Sequence, residues 1–242
     1  EFYGGLFGWE AEESGPSESM PYTMFRLDGK TVAGMGPLSQ DEQDNGIPPT
    51  WSAYIIVDDV DAIHARAIEL GATPLMEPMQ IMDTGKMTFV MDPVGAVVGF
   101  WQSGSHDGAE VFNVPGAMTW NEIGTRDVDA AKSFYTELLG WESEEMDMGD
   151  AGMYTMFRNA GRMNSGTYDI SGFLPDEVPS HWLNWFFVDD PAASAAKAAE
   201  LGGTVQREPT ESGGMVTAVI SDPFGATFGI ISSEQVDGQP DR

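Results

Sequence analysis

At 242 residues the chain is long enough for two domains, and its 41% apolar content with seven Trp and thirteen Phe fits a globular protein. Thirty-nine acidic residues against seven Arg and four Lys give a net charge of −28, which argues against nucleic-acid and anionic-membrane partners, since such a field repels polyanions. The absence of Cys excludes disulfides, Cys-ligated zinc and a thiol nucleophile, and no apolar run approaches the ~20 residues of a membrane helix.

Taken in chain order, residues 1–36 recur at 133–168 with a constant offset of 132, and the remainder recurs at offsets of 131 and then 130. Phe2-Tyr3 matches Phe134-Tyr135, Gly8-Trp9 matches Gly140-Trp141, and Tyr22 to Arg26 matches Tyr154 to Arg158. The match runs on through Trp51 and Trp182, Glu77-Pro78 and Glu208-Pro209, and Asp92-Pro93 and Asp222-Pro223. A period this long means two whole domains of one fold, not a solenoid. Residue 1 aligns with Ser133, so 116–132 has no partner in the first half; the register predicts a natural N-terminus roughly 15 to 25 residues upstream.

In the first half the pattern predicts a strand over 51–57, a helix over 59–70 stopped at Gly71, strands over 73–76 and 87–91, the turn Asp92-Pro93-Val94-Gly95, and a strand over 96–101. Residues 102–115 read as a linker. Next come a strand over 118–125 and a helix over 127–139 with Val128, Ala131, Phe134, Tyr135 and Leu138 on one stripe, stopped at Gly140. Strands over 141–146, 152–158 and 163–170 follow, then a strand over 181–188, a helix over 191–201, strands over 204–208 and 215–221, a turn at 222–225 and a strand over 226–232. Residues 233–242 read as a polar tail. The fold class is α+β, with domain 1 over 1–101 and domain 2 over 116–232, each a pair of βαβββ units curling into mixed sheets with helices outside.

Asp-x-x-x-Ala-x-x-Phe-Tyr-x-x-Leu-Leu-Gly-Trp after a strand, then Val-Asp-Asp and a closing Asp-Pro-x-Gly-Ala strand, resembles the vicinal oxygen chelate superfamily. That superfamily holds glyoxalases, bleomycin-resistance proteins and extradiol dioxygenases, and the chain looks like its two-domain glyoxalase-like proteins of actinobacteria that carry a hydroxylase label. The resemblance implies a cup holding a divalent metal, with ligands from the first strand of each unit and a Glu just after Asp-Pro-x-Gly. Those first-strand positions fall at Trp120, Ser52 and Leu183, and the closing Glu falls at Gly99 and Gly229. None supplies a ligand, whereas a catalytic site needs about three. No metal and no cofactor is therefore expected.

Glu122 lies two residues beyond Trp120, and so on its strand face; His181 is two from Leu183. Alternation adds Trp185 and Phe187 to Leu183, and Tyr54 and Ile56 to Ser52, predicting an aromatic cup with one carboxylate, suited to a planar or cationic ligand. The alternative is a packed core. Burial would make Glu122 a general base, with His181 a proton-transfer group at the mouth, against the plainer readings of an ion pair to Arg158 or Arg162 and a surface histidine. Arg26 and Arg158 read as structural ion pairs, with binding of an anionic ligand as the other reading. Glu77 and Glu208 read as turn caps, and His64 and His106 as solvated. Two functions stay open: an enzyme acting on a small organic or carbonyl compound, and a metal-free protein that sequesters a small molecule. A cytoplasmic monomer is expected because the duplication supplies a pseudo-dimer; a homodimer is the alternative.

Overall fold

The computed structural model describes residues 1–15, 21–44, 46–149 and 152–233; the polar tail expected beyond 233 lies outside them. The chain runs α1 (Phe2–Phe7), β1 (Glu10–Glu13), β2 (Thr23–Leu27), β3 (Lys30–Met35) and α2 (Gln40–Asp44), then β4 (Tyr54–Ile56), α3 (Val60–Glu69), β5 (Thr73–Ile81), β6 (Gly85–Met91) and β7 (Val97–Ser103). The second half runs β8 (Met118–Thr125), α4 (Val128–Leu139), β9 (Glu142–Asp147), β10 (Met153–Asn159) and β11 (Arg162–Asp169), then β12 (His181–Phe187), α5 (Pro191–Glu200), β13 (Thr204–Ser212), β14 (Met215–Ser221) and β15 (Thr227–Ser233). The class is α+β, and no helix of the described residues is long and apolar enough to cross a membrane.

Local chemistry sets the boundaries. Asp59, Asp127 and Asp190 cap α3, α4 and α5 by accepting the backbone N–H of Ala62, Ala130 and Ala193. Gly8 and Gly140 close α1 and α4 in the left-handed region, at φ 74° and 68°. The unforeseen α2 starts from a capping box, with Glu42 accepting from the backbone and hydroxyl of Ser39. In each complete module the first strand lies parallel to the last, because the helix carries the chain back across the sheet: β4 with β7, β8 with β11 and β12 with β15.

Strands β5 and β13 extend well past the predicted 73–76 and 204–208. Pro is tolerated because both are edge strands with register shifts beside it. Glu77 and Glu208 therefore sit within strands and do not cap turns.

The compact units interleave the sequence halves. Unit 1 comprises Glu1–Trp51, Gly108–Thr119 and the chain from Asn184, and unit 2 comprises Ser52–Asp107 and Trp120–Leu183. Each thus joins the module that opens one half to the module that closes the other, whereas the sequence pattern had each half paired within itself.

One relay, built twice from repeated residues, holds each core. In unit 1 the Trp51 indole donates to the Tyr3 hydroxyl at 2.9 Å, which donates to Asp222 at 2.8 Å. In unit 2 Trp182 donates to Tyr135 at 3.0 Å, and Tyr135 donates to Asp92 at 2.8 Å. The other carboxylate oxygen accepts backbone N–H groups of the Asp-Pro-x-Gly turn, from Val94 and Ala96 in one case and Phe224 and Ala226 in the other. Trp9 and Trp141 stack on Tyr3 and Tyr135 at interplanar angles of 21° and 19°. Phe2, Phe7, Phe186 and Phe228 complete core 1; Phe100, Ile123, Phe134 and Phe157 complete core 2.

Burial pushes the Asp92 carboxyl above the usual carboxylate range, opposed by the hydrogen bonds from Tyr135 and the turn. Tyr135→Phe strips a donor from Asp92 and an acceptor from Trp182, and should cost about 2 to 4 kcal/mol in urea unfolding at neutral pH. A buried carboxyl with a raised pKa binds its proton more tightly in the native state, so stability falls as pH rises through that window. The loss in Tyr135→Phe should therefore be larger at neutral pH than at acid pH; an equal loss at both would mean that Asp92 does not carry it.

Candidate functional site

Within unit 2, one face of β8 carries Trp120, Glu122 and Gly124, the first two half-buried and the glycine buried, while Ile123 and Thr125 lie buried on the other face. β11 lies beside it, with Gly166 opposite Glu122. Gly166 is required: a Cβ there would meet the Tyr154 hydroxyl at 2.1 Å. The absent side chain lets Tyr154 lean across from β10, where its hydroxyl accepts from Trp120 Nε1 at 2.7 Å and donates to Glu122 Oε2 at 3.1 Å. Desolvation, and then the Glu122 carboxylate, hold the Tyr154 phenol far above its ordinary pKa, so it stays a neutral donor.

His181 joins this face. Its Cε1 lies 3.4 Å from where a Cβ of Gly124 would stand, two residues along the strand from Glu122. Its Nδ1 is 2.9 Å from the Pro179 carbonyl, which can only accept, so Nδ1 carries a proton and Nε2 is the acceptor of the neutral ring. Tyr168 borders the same spot, with its hydroxyl 3.4 Å from that position. The arrangement gathers a carboxylate, an imidazole nitrogen and three aromatic rings, all half-buried, and can hold an organic ligand and exchange protons with it.

The other predicted site residues fall elsewhere. Tyr54 and Trp185 pair across β7 and β15 with Gly99 and Gly229, the positions where the resemblance implies metal carboxylates. Both places are filled by rings. A Cβ on Gly99 would meet Tyr54 at 2.7 Å, and one on Gly229 would meet the Trp185 indole at 2.1 Å. Carbon, not oxygen, occupies each position, and among the described residues no three His, Asp or Glu side chains gather as a metal site. The donor set does not fit a divalent cation.

Ser52 is exposed ahead of β4, Leu183 is buried, and Phe187 is half-buried with its backbone bonded to Gly116 and Ala117. Arg158 is engaged by Glu144 through Nε at 3.0 Å and Nη2 at 2.8 Å, as Arg26 is by Glu12, which makes both cross-strand ion pairs. Tyr154 donates to Glu122, and Arg158 pairs with Glu144 rather than with Glu122. His64 is buried, not solvated. Thr88 donates its proton to the Met76 carbonyl, so His64 Nδ1 donates to the Thr88 oxygen at 2.9 Å. Sequence reasoning missed Tyr154, although its repetition at Tyr22, each over a repeated glycine (Gly34 and Gly166), was a usable signal.

Comparison with known proteins identifies the family and the fold. A model of the Glyoxalase/Bleomycin resistance protein/Dioxygenase superfamily matches residues 1–100, and one of a glyoxalase-like domain matches 120–231. CFP32 of Mycobacterium bovis, which bears the provisional name of glyoxylase, is 36% identical over 96% of this chain and 88% of its own. The anthracycline biosynthesis protein DnrV of Streptomyces peucetius is 34% identical over 99% of this chain and 89% of its own. Among solved structures, the Mn(II)-bound glyoxalase of Novosphingobium aromaticivorans superposes with a TM-score of 0.62 at 16% identity, over 98% of this chain and 77% of that one. The chain belongs to the glyoxalase, bleomycin-resistance and dioxygenase superfamily, with one glyoxalase-like domain in each sequence half.

Proposed function

We propose that the chain acts on a small organic or carbonyl compound at the Glu122 face of unit 2, without the divalent metal its superfamily uses. The observation that carries this reading is the hydrogen-bond chain from Trp120 through Tyr154 to Glu122. It fixes one carboxylate oxygen against a neutral phenol, and in this reading the carboxylate is the proton acceptor. His181 Nε2 supplies a second acceptor on the same face, and the rings of Trp120 and Tyr168 supply stacking area. The relatives' names, a glyoxylase and an anthracycline biosynthesis protein, support a small organic compound over a macromolecule. We place the chain in the cytoplasm as a monomer.

A second reading, sequestration without turnover, is favoured by the ring-filled positions at Gly99 and Gly229. Without either carboxylate the site lacks ligands for the metal that would act as Lewis acid in metal-assisted chemistry. Glu122→Gln separates the two. It keeps the shape and the hydrogen bond from Tyr154. Under the first reading turnover falls by about a hundredfold or more while ligand affinity stays within about tenfold. Saturable binding with no product from the unaltered chain would leave sequestration.

The glycine geometry is testable by stability alone. Gly229→Ala forces the Trp185 indole off the sheet and should cost about 1 to 3 kcal/mol by urea unfolding. A variant as stable as the parent would show that the indole does not lie over Gly229.

A further inference from the structure

The closing sheet of unit 1 carries a chemistry opposite to that of the Glu122 face. In register across its four strands stand Arg207 on β13, Val219 on β14, Gly229 on β15 and Trp185 on β12. With no side chain on Gly229, the indole lies down over it. Arg207 reaches from the far edge, and its guanidinium carbon stands 5.6 Å from the Trp185 ring centroid. Nη2 donates to the Thr217 hydroxyl at 3.1 Å.

Three observations make this more than a surface arginine. Seven Lys and Arg side chains are ion-paired among the described residues, as a chain of charge −28 would lead one to expect; Arg207 stacks on an indole with no carboxylate beside it in that set. Contact with a ring rather than with a carboxylate leaves the guanidinium's remaining donors available, four of five here after Thr217. The Trp185 ring beneath it is 5% exposed, and its Nε1–H, also a donor, has no acceptor. A buried indole donor without a partner thus stands beside an exposed guanidinium fork, a pair of donor groups suited to an anionic acceptor.

We infer that unit 1 carries a second ligand site, built from Arg207, Thr217 and Trp185, that takes the carboxylate of a small aromatic acid. The site stands at the place where the superfamily puts a metal-binding carboxylate, with the sign of the charge inverted. It is specific to one copy of the duplication. The matching positions in unit 2 are Met76, Met87 and Tyr54, so methionine stands where Arg207 does, and the Tyr54 hydroxyl faces the Met87 sulfur at 3.8 Å. The chain's overall charge repels anions, so any anion it binds must be held by a local site of this kind.

The test is calorimetric titration of the whole chain with benzoate and with its neutral analogue benzamide. Benzoate should bind saturably, and benzamide at least about tenfold more weakly, because a charge-assisted pair to arginine is lost. Arg207→Met, the residue of the other copy, should weaken benzoate about tenfold to a hundredfold with an unchanged unfolding midpoint. Arg207→Lys, which keeps the charge without the fork, should fall between. Absence of saturable benzoate binding, equal affinity for benzamide, or full affinity in both Arg207 variants would overturn the assignment. The benzamide comparison needs no variant and decides even if a variant misfolds.

Discussion

The fold depends on a buried aspartate that must be given donors. Asp92 and Asp222 end their strands inside the two cores, where an unsatisfied carboxylate would cost several kcal/mol. Each is satisfied twice, by the backbone of its own Asp-Pro-x-Gly turn and by a tyrosine from the other sequence half. The tyrosine is itself held by a tryptophan. Neither half contains a complete relay, since each lends its aspartate to the other's tyrosine. This explains why Phe-Tyr, Gly-Trp, the lone Trp and Asp-Pro persist together in both copies while much between them has diverged.

A second rule governs the open faces of the sheets. In each of the four modules a glycine makes room for an aromatic ring from elsewhere in its sheet: Gly34 under Tyr22, Gly99 under Tyr54, Gly166 under Tyr154 and Gly229 under Trp185. A ring over a glycine spends the position as floor, so nothing polar can project from it. The chemistry then depends on what the ring meets at its edge. Tyr154 meets Glu122 and Trp120, Trp185 meets Arg207, and Tyr54 meets the Met87 thioether. One architecture thus yields an acidic face, a basic face and an apolar one.

Helices α3, α4 and α5, the three βαβββ patterns and the superfamily were legible in the sequence because periodicity, Asp caps and Asp-Pro-x-Gly turns are local signals. The glycine substitutions at 99 and 229 were legible too, once the register was known. What occupies them was not. That Tyr54 and Trp185 lie over those glycines is a cross-strand fact, and periodicity gives a strand's face without naming its neighbour. Glu122 was found for its place beside Trp120, but its partner Tyr154 sits 32 residues away on a strand two places over. Pro78 and Pro209 hid the length of β5 and β13, since proline ends most strands except at an edge. Packing between one half's opening module and the other's closing module also escaped the sequence, because the duplication makes either pairing satisfy the same hydrophobic pattern.

Rings over Gly99 and Gly229 stand where the superfamily places its metal carboxylates, which should leave the chain without a metal site. Elemental mass spectrometry of the chain, purified without chelators and then equilibrated with a slight excess of Mn(II), Zn(II) and Fe(II) in turn and desalted, tests it most directly. The account predicts far less than one metal ion per chain in every case. A retained metal near one per chain would contradict it, and would mean that side chains outside the glycine positions complete a site.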